Sequence, residues 1–185
     1  MIIADKLRHT NRAEYILYMW QLEDLIRSYG CNFDELNEHY LRGFQLDEAR
    51  MAELRRWYSD LCRMMVEEGV KSSGHLQINK NALSELEELH QRLLASDRFP
   101  YYRSMYYKAL PYIVELRARQ KHDTTTEPSE LETCFNALYG TFLLRLQHKE
   151  ISPETQQAAK DISTLLGQLS DYYFKDKEKP IDFEH

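Results

Sequence analysis

A chain of 185 residues with 43% hydrophobic and 29% charged side chains can bury roughly 70% of its unfolded surface as one domain without metal or disulfide staples, and it lies far from the composition of disordered chains. A formal net charge of −6 argues against general affinity for nucleic acid or anionic lipid, while leaving room for a local basic face. Six Gly and five Pro are too few for a turn-rich all-β fold, and Cys31, Cys62 and Cys134, with no C-x-x-C spacing, read as reduced buried thiols of a cytoplasmic protein.

The chain opens Met1-Ile2-Ile3-Ala4 and meets Asp5 at once, which predicts no secretory signal. Thr10 is placed to cap a first helix to about Tyr29, with a stripe of Tyr15, Tyr18, Met19, Leu22, Ile26 and Tyr29. Ile16, Leu17 and Trp20 widen that stripe almost all round, the pattern of a central, buried helix. Its apolar run from Tyr15 to Trp20 is the longest in the sequence and falls well short of the ~20 residues that span a bilayer. Gly30 ends it. Asn32 and Glu35 form a capping-box pattern ahead of a short helix presenting Phe33, Leu36, Tyr40 and Phe44.

Asp47 opens a third helix on Met51, Leu54, Tyr58, Leu61 and Met65, which Gly69 is suited to stop. Val70 to Lys80 reads as a loop with a short extended piece around His75 to Ile78. Asn79 or Asn81 can cap a fourth helix on Ala82, Leu86, Leu89 and Leu93, with Glu85, Glu87 and Glu88 outward. A fifth helix starts near Pro100, with its stripe on Tyr102, Met105, Tyr106, Ala109, Ile113 and Leu116; Pro111 inside that pattern predicts a kink within one helix. Residues 122–128 read as the main loop. A sixth helix uses Leu131, Cys134, Phe135, Leu138, Phe142 and Leu146, and Ser152-Pro153 starts a seventh on Ile162, Leu165, Leu169 and Tyr173.

One-faced helices with short connections hide their stripes against each other. The expectation is an all-α fold, a single-domain helical bundle of six to seven helices over residues 1–174, followed by a loosely ordered charged tail over 175–185. Each buried Leu-sized side chain contributes about 1.5–3 kcal/mol before entropy, so polar substitution at Trp20 or Phe142 is expected to unfold it.

Phosphate-binding glycine loops, the G-x-S-x-G elbow and H-E-x-x-H are absent, and no cofactor is implied. Glu87-x-x-His90 puts a carboxylate and an imidazole on one helical face, as di-iron bundles require, but such bundles need a second pair. The only similar one is Asp182-x-x-His185, so Glu87 and His90 remain candidate metal ligands beside the reading of an incidental histidine on a solvated face. In the first helix Glu23 and Asp24 interrupt apolar surface, which makes them candidate acid or base groups; pairing of Glu23 with Arg27 at i,i+4 is the simpler account.

Between residues 98 and 121, Arg98, Arg103, Lys108, Arg117, Arg119 and Lys121 stand against Glu115 alone, a local charge of +5. Tyr101, Tyr102, Tyr106, Tyr107 and Tyr112 interleave with them. Tyr101, Arg103, Tyr107, Lys108, Arg117 and Lys121 are therefore candidate partner-binding residues for a nucleic acid or acidic partner; the alternative is a helix whose basic flanks meet acidic helices of the same molecule.

Leu7-Arg8, Asn11, Ala13-Glu14-Tyr15-Ile16-Leu17-Tyr18-Met19-Trp20-Gln21 and Glu23-Asp24-Leu25-Ile26-Arg27, followed by Gly74-His75-Leu76 and Leu138-Tyr139-Gly140, make the chain similar along its length to an uncharacterised bacterial family, a domain of unknown function met mainly in Bacteroidetes. That resemblance implies a stand-alone helical protein and carries over no functional residue. Three functions stay open: a non-catalytic helical protein that binds itself or another protein, an enzyme or ligand-binding bundle with a polar pocket between helices, and nucleic-acid or acidic-partner binding through residues 98–121.

Overall fold

The computed structural model describes residues 2–120 and 128–183. Among the described residues every regular element is helical: eight α-helices and one 3-10 turn, Leu41–Gly43. No described helix is long and apolar enough to cross a membrane. The chain forms two compact units, Met1–Ala82 and Leu83–His185.

The first unit contains α1 (Ile2–Thr10), α2 (Arg12–Ser28), α3 (Phe33–His39), α4 (Glu48–Glu67) and the start of α5 (Gln77–Ala95). Helix α1 is one more than the sequence pattern predicts. Thr10 ends it, its hydroxyl donating to the Lys6 carbonyl, and Asn11 takes the capping role expected of Thr10 by accepting from the Glu14 N–H at 3.1 Å. A nine-residue helix is marginal by itself; α1 packs on α2. As its composition predicts, α2 is buried on most sides, through Ala13, Tyr15, Ile16, Met19, Trp20, Leu22 and Ile26. Asn32 caps α3 through the Asp34 and Glu35 N–H groups, while the Glu35 carboxylate turns to His39.

Helix α5 begins at Gln77, earlier than either predicted cap, so Gln77 and Ile78 are helical rather than extended. The reason lies in distant side chains. The Glu68 carboxylate accepts from the Gln77 N–H at 2.6 Å and Glu23 from the Leu76 N–H at 2.8 Å, so two carboxylates do the work of a local cap at a helix start that favours negative charge.

The second unit holds the remainder of α5, then α6 (Pro100–Gln120), α7 (Glu130–Leu146) and α8 (Pro153–Glu178). Helix α6 packs against both α7 and α8, which also touch each other. Tyr102, Ala109, Ile113, Leu131, Cys134, Phe135, Ile162, Leu165 and Leu169 are fully or almost fully buried. Phe142, expected in the core, is only half-buried, whereas Phe135 of the same expected stripe is fully buried. Helix α6 runs without interruption through Pro111; proline has no N–H, so the Tyr107 carbonyl loses its intrahelical donor there. Helix α8 runs to Glu178, into the segment expected as a tail, and beyond it the Phe183 ring meets Phe99 with centroids 5.4 Å apart and lies 4.1 Å from the Arg92 guanidinium.

Candidate functional site

In the first unit the polar residues of α2 converge on the segment that precedes α5. Glu23 is 1% exposed. One carboxylate oxygen accepts from the Leu76 N–H and from Asn79 Nδ2 at 2.6 Å, and the other lies 2.6 Å from His75 Nδ1. The His75 ring stacks on Trp20, centroids 4.1 Å apart and planes 12° from parallel. One turn further along α2, Arg27 donates to the Val70 carbonyl at 3.2 Å and to the Gly74 carbonyl, and pairs with Asp24 at 2.7 Å. The expected Glu23–Arg27 surface pair is therefore replaced: Glu23 points inward and Arg27 pairs with Asp24.

A carboxylate behind an imidazole nitrogen fixes ring orientation, an arrangement that serves general bases and metal ligands alike. Here Glu23 also satisfies two further buried donors, and Arg27 holds the same segment by its backbone. The group acts as a knot tying residues 70–79 to α2. The sequence offered Asn79 as a helix cap and His75 as part of an extended piece, and gave neither a role at a site, because their partner lies more than fifty residues away along the chain.

The second unit has its own buried polar group. His90 is 1% exposed, with Nδ1 2.6 Å from the Tyr102 hydroxyl and Nε2 without a partner. Burial lowers its pKa to about 4, against an opposing pull from Glu130, so the ring is neutral at ordinary pH. Tyr106 donates to Glu130 at 2.9 Å; burial, and then that carboxylate, push the phenol up to about 12. Burial, with Glu130 adding to it, raises the Cys134 thiol to about 12 as well. The sequence candidates Glu87 and His90 take separate partners: Glu87 accepts from Ser129 Oγ, the side chain that caps α7. Among the described residues no group of three or more His, Cys, Asp or Glu is arranged to hold a metal ion, and His185 of the second expected pair lies outside them.

The arginines of residues 98–119 meet carboxylates within their own unit. Arg98 pairs with Asp182 at 3.0 Å, Arg103 with Asp97 at 2.5 Å, Arg117 with Glu130 at 3.8 Å, and Arg119 with Glu115. Lys108 has no ion pair among the described residues, and Lys121 lies outside them. The local positive charge is thus largely balanced where it arises.

What α6 leaves outward is mainly aromatic and aliphatic. Tyr101 is 67%, Tyr107 59% and Val114 58% exposed. At 100° per residue they share one side with Pro100, Ser104, Lys108, Pro111, Glu115 and Ala118, all exposed. No other element carries more than one exposed large apolar side chain among the described residues: Ile3, Phe44, Val66, Ile78 and Leu146 are scattered singly. Pro100, Arg103, Ser104, Tyr107 and Lys108 outline a shallow open depression on this side. The signal was present in the sequence as steps of seven, Tyr101-Lys108-Glu115, Tyr107-Val114 and Ser104-Pro111-Ala118, behind the stronger inward stripe.

A cleft of about 340 Å³ lies among α6, α7 and α8, floored by Ala137, Gly140, Ala158 and Ala159 and rimmed by Tyr112, Glu115, Arg119 and Glu154.

A family model described as a domain of unknown function, DUF4924, matches residues 1–180. No curated protein and no solved structure matches the chain.

Proposed function

The chain belongs to the DUF4924 family, whose description assigns no activity, and from that premise we propose that this protein is a non-catalytic helical module that acts by protein–protein association through the outward side of α6. The observation that carries the reading is the pair Tyr107 and Val114, seven residues apart on one edge of α6 and each more than half exposed, with the exposed Tyr101 on the opposite edge of the same side. Contiguous apolar surface marks association sites, whereas scattered apolar residues do not. Tyrosine adds wide contact area with few torsions to freeze and is enriched where proteins meet. Four of the arginines near this side already face carboxylates, which favours an apolar partner over a nucleic acid, since phosphate binding needs cations free to displace counterions.

The buried polar groups support a role without catalysis. Glu23 is committed to three donors, and the Cys134 thiol is raised far above the range of a reactive nucleophile. The three buried free cysteines and the bacterial resemblance support a bacterial cytoplasmic setting. The test compares the full chain with a Tyr107→Ser, Val114→Ser double substitution of equal helicity, by light scattering and by affinity capture from bacterial lysate. Association that the doubly substituted chain loses is the expected result. A native chain that is strictly monomeric, and that captures the same proteins as the doubly substituted one, refutes the reading.

A second reading, binding of a small apolar molecule, rests on the cleft among α6, α7 and α8, whose volume falls at the lower end of ligand sites. A Cβ at Gly140 meets nothing within 4 Å, and Gly140 lines the cleft, so Gly140→Leu is the substitution expected to occupy it. Anilinonaphthalene sulfonate should bind the native chain and lose most of its fluorescence with Gly140→Leu; equal fluorescence from both removes the cleft from consideration.

A further inference from the structure

Building on the association reading, we infer that the partner of α6 is a second copy of this chain, docked antiparallel about a two-fold axis that passes beside Pro111. The outward side carries a heptad pattern. Ser104, Pro111 and Ala118 form its midline, Tyr107 and Val114 one edge, and Tyr101, Lys108 and Glu115 the other. A two-fold axis perpendicular to two antiparallel helices sets each edge against the same edge of its mate, with chain direction reversed. Centred on Pro111, this puts Lys108, three residues before the axis, opposite Glu115 of the second copy, four residues after it. The same operation puts Tyr107 opposite Val114 on the other edge.

Both edges thereby meet complementary chemistry: cation with carboxylate on one, ring with aliphatic side chain on the other. Lys108, without an ion pair among the described residues, gains one; Glu115 exchanges or shares its exposed pair with Arg119, which is worth little where it stands. Small or flat residues on the midline let the two helices approach closely. A parallel pairing, with its two-fold axis along the helices, would instead set the edge of Lys108 and Glu115 against the edge of Tyr107 and Val114, leaving both charges beside apolar side chains. One helix face is below the usual size of a permanent interface, so the dimer is expected to form and dissociate with concentration in the micromolar range.

The experiment uses the full chain in analytical ultracentrifugation across a micromolar concentration series, with charge reversal and cysteine crosslinking. Lys108→Glu and Glu115→Lys should each raise the dimer dissociation constant about tenfold, since each creates two like-charge contacts per dimer, and the two together should return it to near the native value. Pro111→Cys should oxidise to a covalent dimer. Ala118→Cys alone should not, whereas Ser104→Cys with Ala118→Cys should. A chain that stays monomeric throughout, a dimer indifferent to these substitutions, or crosslinking by Ala118→Cys alone each overturns the antiparallel dimer. Failure here is distinct from failure of the broader reading. A monomer that captures another protein, and loses it with Tyr107→Ser and Val114→Ser, keeps the association face and removes only the second copy.

Discussion

The knot around Glu23 and the outward side of α6 treat their side chains in opposite ways. At the knot a nearly inaccessible carboxylate has a partner for each oxygen, and its neighbours Trp20 and Arg27 hold the same stretch of chain. On α6 the apolar groups Tyr101, Tyr107 and Val114 have been left in water. Burial of polar groups is tolerable only when they are bonded, and exposure of a contiguous apolar side is tolerable chiefly when something covers it. In the first region the carboxylate finds its partners within the chain, with Asn79 Oδ1 the one buried atom of the knot left unbonded, and the group does structural work; the second leaves apolar side chains uncovered, and that is the better guide to function.

Substitutions on the two sides of this contrast should behave differently. Glu23→Ala strands the Leu76 N–H, Asn79 and His75 in or near the interior and should cost about 3–5 kcal/mol, read as a lower urea midpoint; a loss under about 1 kcal/mol would mean that the knot is dispensable. His90 supplies the next largest effect. Its folded pKa of about 4 lies below the ordinary 6.5, so the unfolded chain binds the proton more readily. The associated stability is present above about pH 6.5 and is lost as pH falls toward 4, on the order of 3 kcal/mol. Urea denaturation across that range should show this limb in the native protein and a flatter one in His90→Leu.

Gly74 lies in the segment that Arg27 grips and has φ +85, where a Cβ is strained. Gly74→Ala should therefore lower stability by about 1 kcal/mol in thermal unfolding. Smallest of all, Tyr107→Ser with Val114→Ser should change the stability of the isolated chain by less than about 0.5 kcal/mol per site while removing association. A large destabilisation by that pair would erase the contrast between the two regions.

Helices with a continuous inward stripe were legible in the sequence. The stripe of α6 gave Tyr102, Met105, Ala109 and Ile113, all buried, and Ser152-Pro153 marked the start of α8. The start of α5 was not legible, because its caps are Glu23 and Glu68, carboxylates from elsewhere in the chain. Helix α1 was missed because a short segment depends on its packing partner more than on its own pattern. At the candidate sites, Glu23 drew notice as an acid within apolar surroundings, but its direction and its partner His75 depend on tertiary folding. Tyr101, Tyr107 and Lys108 were singled out for charge and aromaticity. Local sequence could not show that carboxylates as distant as Asp182 and Glu130 would balance the arginines and leave aromatic surface as the dominant feature.

The three shielded thiols give the molecule an internal clock. Cys62 and Cys134 are 3% and 0% exposed, and burial raises the pKa of both, so an alkylating reagent reaches either one only during an opening event. Because the two residues belong to different compact units, brief labelling followed by peptide mass spectrometry times the breathing of each unit separately, using nothing but the native chain.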